Sequence, residues 1–174
     1  MQTITELAKR TRLLIMDVDG VLTDGRIFIT ASGEELKAFN TLDGHGLRML
    51  QSTGVQLAII TGRDAPGVAH RARGLGIDHY YAGVHDKRTA FAELLQKTGL
   101  AAEDCAYIGD DVIDLPVMSR VGLAVAVPDA PSFVRQHAHF VTGCSGGQGA
   151  VRELCELILQ AQGNYDRLMA GYLA

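Results

Sequence analysis

Three apolar runs, each broken off by a glycine and polar side chains, set the rhythm of this chain. Leu13-Leu14-Ile15-Met16 is continuously apolar rather than alternating, the pattern of a central parallel strand covered on both faces. Val55-Gln56-Leu57-Ala58-Ile59-Ile60 and Ala106-Tyr107-Ile108 read as two more such strands. Helical segments are predicted over Thr3–Arg10, over Leu47–Thr53 with Gly54 as its stop, and over Lys87–Lys97. The best amphipathic helix is Ala150–Gln162, with Val151, Leu154, Cys155 and Ile158 on one face and Gly163 beyond its end. Arg26–Thr30 and Glu35–Asn40 flank Ala31-Ser32-Gly33-Glu34, a hairpin signal with glycine in the turn. Strands alternating with helices predict an α/β fold, a three-layer α/β/α parallel sheet with right-handed crossovers.

The polar residues that end these runs carry the candidate chemistry. Open parallel sheets bind ligands in the crevice beyond the carboxyl ends of their strands. Asp17 and Asp19 stand two residues apart at the first strand exit, where Gly20 lets the backbone turn and both carboxylates can reach the crevice. Thr61-Gly62-Arg63 ends the second run with a hydroxyl and a guanidinium, groups suited to phosphate. The third run leads into Gly109-Asp110-Asp111-Val112-Ile113-Asp114, and Lys87 opens a helix between them. Five aspartates converging on one crevice repel one another unless a cation is present. A hard divalent ion with oxygen ligands meets that need, and Mg²⁺ is the usual choice where phosphate supplies part of the shell.

Composition narrows the function classes. A chain of 174 residues that is 47% hydrophobic can bury one sizeable core, so residues 1–174 are expected to form a single domain, with 164–174 as a C-terminal tail. A net charge of −4 with dispersed basic residues argues against nucleic acid as a partner. The three cysteines show no CxxC pairing and read as reduced fillers. No apolar stretch approaches membrane-spanning length, and Met1–Arg12 lacks the apolar centre of a signal peptide, so the expected location is cytoplasmic with no membrane partner.

DxDGVLT at 17–23, TGR at 61–63, Lys87 and GDDxxD at 109–114, in that order, resemble the haloacid dehalogenase superfamily of aspartate-nucleophile phosphatases. Asp24-Gly25, Lys37-Ala38-Phe39-Asn40, Asp43-Gly44-His45-Gly46, Val121-Gly122-Leu123-Ala124-Val125-Ala126 and Gly146-Gly147-Gln148-Gly149-Ala150-Val151-Arg152-Glu153 narrow the likeness to its 3-deoxy-D-manno-octulosonate 8-phosphate phosphatase family, from about Arg12 to Gly163. The resemblance implies a Rossmann-like sheet with a hairpin insertion. The spans from Asp19 to Thr61 and from Thr61 to Lys87 are used up by hairpin, helix and strand, so no cap domain fits.

The resemblance also implies roles. Asp17 would be the nucleophile, Asp19 the general acid and base, Thr61 a phosphoryl hydrogen-bond donor and Lys87 a fixed positive charge. Mg²⁺ would be held by Asp17, by Asp19 through its backbone carbonyl, and by Asp110, while Asp111 and Asp114 would support that shell or orient the lysine. Substrate would be bound by Asp19, Asn40, Thr41, Leu42, Asp43, Gly44, Arg48, Arg63, Arg71 and Lys87, the arginines supplying charge for an acidic sugar phosphate. The family implies a homotetramer, with hairpins meeting at the symmetry axis and a tail that can reach a neighbouring site. His45 is placed in a glycine-flanked loop near the crevice. Two readings stay open beside this one: a phosphatase of a sialic or deaminated sialic acid 9-phosphate, and a non-catalytic module of the same fold.

Overall fold

The computed structural model describes residues 2–174. From the amino end the chain forms helix α1 (Ile4–Arg10), strand β1 (Leu13–Met16), strands β2 (Phe28–Ile29) and β3 (Glu35–Leu36), helix α2 (Thr41–Gln51) and strand β4 (Gln56–Ile60). Helix α3 (Pro66–Leu75), strand β5 (His79–Tyr81), helix α4 (Lys87–Thr98) and strand β6 (Cys105–Gly109) follow. A short 3₁₀ turn over Val112–Asp114 leads into helix α5 (Leu115–Met118), then strand β7 (Leu123–Ala126), helix α6 (Ser132–Gln136), strand β8 (Phe140–Val141), helix α7 (Ala150–Ala161) and helix α8 (Tyr165–Leu173).

Six strands make one parallel sheet in the order β5-β4-β1-β6-β7-β8. β1 is central and all four of its residues are fully buried, which explains its unbroken apolar run. Its register against both neighbours is level: Met16 pairs with Ile59 of β4 and with Ile108 of β6. The carboxyl ends of three adjacent strands therefore finish together, and the residues after them share one crevice. Helices α1, α2 and α7 pack into one layer, and α4 and α5 pack together against strands β4, β6 and β7. On α7 the predicted face is confirmed, with Val151, Leu154, Cys155 and Ile158 all without exposure.

Three local expectations need correction. The helix predicted from Leu47 begins six residues earlier, because the Asn40 side chain caps it by accepting the amide of Leu42 at 2.8 Å. Gly44 and Gly46 look like loop residues, but they lie inside α2 where neighbours press close: a Cβ at Gly46 would stand 2.8 Å from Arg152 Cδ, and one at Gly44 would overlap the Arg71 guanidinium. His45 consequently lies on an exposed helix face rather than in a loop at the crevice. The hairpin is shorter than its apolar pattern. Only Phe28–Leu36 and Ile29–Glu35 pair, since beyond Leu36 the chain turns inward to seat Lys37 and Phe39 and to cap α2.

The tail is not an open strand of chain. It folds as α8 and lies back on the molecule, with Tyr165, Leu168 and Met169 packed against the core and Tyr172 Oη 3.0 Å from His45 Nε2. Tyr172 and Leu173 at its end are exposed, as are Ile27, Phe28, Ile29 and Leu36 of the hairpin. Among the described residues no helix is long and apolar enough to cross a membrane.

Candidate active site

The turn after β1 is built to hold a carboxylate still. The Val18 carbonyl accepts the amides of Val21, Leu22 and Thr23 at 2.9 to 3.2 Å, and buried Thr23 takes the amides of Gly20 and Gly25 on its hydroxyl. Gly20 sits at φ +79, and a Cβ there would overlap the Asp110 carboxylate, so this position needs glycine for both conformation and space. The result presents Asp17 with Oδ1 fixed by the Val18 amide at 2.6 Å and Oδ2 facing Lys87 Nζ at 2.9 Å.

Lys87, the first residue of α4, is delivered by an Asp86 cap whose side chain accepts the Arg88 amide. The residue is 2% exposed, and its ammonium has three partners: Asp17, Asp114 Oδ1 at 2.6 Å and Tyr107 Oη at 3.2 Å. Asp114 is itself saturated. Oδ1 also accepts the Tyr107 hydroxyl at 2.6 Å, while Oδ2 accepts the amides of Asp110 and Asp111 at 2.9 and 3.2 Å. Each oxygen thus has two donors, and the residue's work is to aim Lys87 and shape the turn that carries Asp110.

Asp17, Asp110 and Asp114 can bring one oxygen each within 4.8 Å of one another. Burial, then the negative charge of Asp114, pushes Asp17 up to about 6 although Lys87 opposes the shift. Burial and the charges of Asp114, Asp17 and Asp111 push Asp110 up to about 7. Burial works against charge on Lys87 too, but Asp114 and Asp17 outweigh it and hold its pKa above the usual lysine value. Carboxylates raised by burial and then by one another's charge are short of positive charge, and a divalent cation fits that deficit. Asp17 and Asp110 have acceptor capacity for it, whereas Asp114 has none left.

Thr61, 2% exposed, stands at the end of β4 beside this cluster, its hydroxyl accepting the Arg63 amide at 3.4 Å. Asp19 lies outward of Asp17, hydrogen-bonded through Oδ1 to Lys37 and 3.9 Å from Arg63 Nε through Oδ2. Arg63 in turn is hydrogen-bonded to Glu35 of β3. A cleft of about 540 Å³ opens beside this network between the hairpin and the start of α3, lined in part by Glu34, Glu35, Asp64 and Pro66.

The remaining predicted binding residues separate into those that shape the site's flank and one that lies away from it. Asn40 caps α2 and donates to the Gly147 carbonyl at 3.1 Å, and Thr41 and Leu42 form the first turn behind it. Asp43 is buried and accepts the Arg152 amide at 2.8 Å, capping α7, which has no side-chain cap of its own. Arg71 lies against Gly44 and points its guanidinium at the Asn40 carbonyl, 3.4 Å away, and at the Phe39 ring. Arg48 is tied to the Gly74 carbonyl at 2.6 Å, about 10 Å along the axis of α2 from its first turn. Within one chain it does not meet the aspartates. The sequence assigns no site role to Lys37, Glu35 or Tyr107, although Lys37 lies in one of the family motifs; the partners of Lys37 and Tyr107 lie 18 and 7 residues away, and only the fold joins them.

Comparison with known proteins adds four findings. Residues 27–122 match the family model of the haloacid dehalogenase-like hydrolases. The chain is 53% identical over 159 residues, 91% of its length and 85% of the relative's, to the 3-deoxy-D-manno-octulosonate 8-phosphate phosphatase KdsC of Escherichia coli. Its structure superposes with a TM-score of 0.97 on a probable phosphatase of Pseudomonas syringae, 50% identical, covering 98% of this chain and 97% of that one. It superposes with a TM-score of 0.95 on a 3-deoxy-D-manno-octulosonate 8-phosphate phosphatase of Moraxella catarrhalis, 46% identical with 97% of each chain covered, which was crystallised with a magnesium ion, a phosphate ion and a KDO molecule.

Proposed function

Because the chain belongs to the haloacid dehalogenase-like hydrolases, we propose that its aspartate cluster serves a Mg²⁺-dependent phosphatase that converts 3-deoxy-D-manno-octulosonate 8-phosphate to 3-deoxy-D-manno-octulosonate and phosphate, a step of lipopolysaccharide sugar synthesis. The observation that carries this reading is the arrangement of Asp17: one oxygen fixed by a backbone amide, the other against a buried lysine, in a site with a cation deficit.

Asp17 attacks phosphorus and becomes an aspartyl phosphate, with Lys87 facing the charge that gathers on the phosphoryl oxygens. Thr61 donates its hydroxyl to one of those oxygens. Asp19 gives a proton to the departing sugar oxygen, then takes one from the water that cleaves the intermediate. Mg²⁺, held by Asp17, Asp110 and the Asp19 backbone carbonyl, supplies charge neutralisation between nucleophile and phosphate. Arg63 and the rim formed by Asn40, Thr41, Leu42, Asp43 and Gly44 are proposed to bind the sugar, with Arg71 behind them. Arg48 reaches a sugar only if it serves the site of a neighbouring subunit.

We further propose a cytoplasmic homotetramer built from whole chains acting as single catalytic units. An uncapped site and four exposed apolar residues on the hairpin, Ile27, Phe28, Ile29 and Leu36, support that assembly, since pairing hairpins would cover them. The function is tested by measuring phosphate release, with Mg²⁺ present, from 3-deoxy-D-manno-octulosonate 8-phosphate and from a sialic acid 9-phosphate in parallel. Faster turnover of the eight-carbon substrate is expected, and the reverse order would overturn the assignment.

A further inference from the structure

Lys37 directly follows β3 of the hairpin, outside the sheet whose strand ends carry the aspartates, yet its side chain is 3% exposed and its ammonium is hydrogen-bonded to Asp19 Oδ1. The second oxygen of Asp19 faces Arg63 Nε at 3.9 Å. Both oxygens of the residue that must meet the leaving-group oxygen are thus turned toward cations. Glu35 completes the arrangement, 4.0 Å from Lys37 Nζ and hydrogen-bonded to Arg63. Two carboxylates and two cations close an internally neutral network across the mouth of the site.

Such a network opens at a cost. A buried ammonium cannot simply release its carboxylate, because a desolvated charge left without a partner is strongly destabilising. Another anion has to take its place. The phosphate of the substrate is not available for this, since Lys87 and the turn after β1 engage it. A second anionic group on the same molecule is available, and the ulosonate named above carries one: its carboxylate, at the end of the carbon chain opposite the phosphate. A neutral sugar phosphate has nothing to offer Lys37.

We infer that Lys37 is a specificity-determining residue. In the resting enzyme it holds Asp19, and the substrate carboxylate takes over its ammonium, leaving Asp19 free to turn to the leaving oxygen. This rests on the reading of the chain as a phosphatase of an acidic sugar phosphate. It explains how an open site discriminates among phosphates: the acid is released to work when the right second anion arrives.

The test compares kcat/KM of the wild type, Lys37→Met and Lys37→Arg on two compounds in the presence of Mg²⁺. One is 3-deoxy-D-manno-octulosonate 8-phosphate; the other is arabinose 5-phosphate, with a terminal phosphate and no carboxylate. Lys37→Met is expected to lose about 10- to 100-fold on the acidic substrate, the effect of one charge-assisted hydrogen bond, and to gain on the neutral one. Lys37→Arg keeps the wild-type preference. A ratio of the two kcat/KM values in Lys37→Met that stays within about tenfold of the wild type overturns the inference, because a lysine that merely orients Asp19 would affect both compounds alike. Should Lys37→Met fail to fold by circular dichroism, Lys37→Gln carries the same comparison. A wild type that hydrolyses neither compound overturns the phosphatase reading and this inference with it, and one that hydrolyses both equally well overturns the preference for an acidic sugar phosphate on which the inference rests. A wild type that prefers the ulosonate, beside a Lys37→Met enzyme that keeps the preference, overturns the inference alone.

Discussion

Asp114 Oδ1 and Lys87 Nζ are 2.6 Å apart in an interior that neither shares with solvent, and Tyr107 donates to the same oxygen from behind. The pair fixes the direction in which the lysine points. Replacing Asp114 by alanine leaves Lys87 with Asp17 as its one carboxylate partner, beside the Tyr107 hydroxyl, and frees the amides of Asp110 and Asp111. A stability loss of about 3–5 kcal/mol in urea unfolding is expected, together with at least about a 100-fold fall in kcat. Tyr107→Phe removes one hydroxyl from the same group and should cost about 1 kcal/mol. Equal stability losses in the two variants would show that Asp114 is not the anchor.

Asp17→Asn should abolish turnover, by at least about 10³-fold, while the protein stays folded, since an amide keeps the size of the carboxylate but cannot attack phosphorus. Its metal-free form should be no less stable than the wild type at pH 8, because a charge crowded by Asp110 and Asp114 has been removed. Residual activity well above that level would displace Asp17 as nucleophile.

Asp19→Asn probes the proton transfer. The loss should be large on a sugar phosphate, about 10²- to 10⁴-fold, and clearly smaller on p-nitrophenyl phosphate, whose leaving group needs little protonation. Matching losses on both compounds would argue against Asp19 as the acid.

Metal and pH are linked through Asp17 and Asp110. Folding raises these carboxyls from 3.8 to about 6 and about 7, so the protons they bind favour the folded state. That contribution is complete below pH 4 and is lost as the pH rises through 6 and 7. The metal-free protein should therefore have a falling Tm contribution between pH 4 and pH 8, and Mg²⁺ should raise Tm by several degrees more at pH 8 than at pH 5. A chelator should abolish activity and added Mg²⁺ should restore it. A Mg²⁺ increment in Tm that is the same at both pH values would contradict the linkage.

Assembly can be measured directly. Sedimentation equilibrium should give about four times the chain mass, and Phe28→Glu with Ile29→Glu should shift it toward smaller species by placing charge in paired hairpins. A wild-type monomer with full activity would refute the tetramer.

Much of this site is legible in the chain because strands covered on both faces leave unbroken apolar runs. Leu13–Met16 points directly to Asp17, Val55–Ile60 to Thr61 and Ala106–Ile108 to Asp110, and the level register then makes them neighbours. What cannot be read is contact made across sequence by side chains with many alternative partners. Lys37 has the pattern of an ordinary hairpin lysine until the chain folds it onto Asp19. The place of Asp43 beside Gly44 does not announce that its buried carboxylate caps a helix more than a hundred residues later. Gly44 and Gly46 disguise α2 as a loop because close packing, not backbone freedom, is what they serve.

The central position of β1 bears on how the protein is made. Its four apolar residues precede both of their partners in sequence, one partner strand beginning at Gln56 and the other at Cys105. A growing chain carries Leu13–Met16 without both neighbours until Ile108 has been translated. The turn holding Asp17 must wait longer, because the Gly147 amide that donates to the Val21 carbonyl at 2.9 Å is made later still. Truncated chains ending before that glycine would keep the nucleophile in their sequence and lack part of the brace that holds its turn.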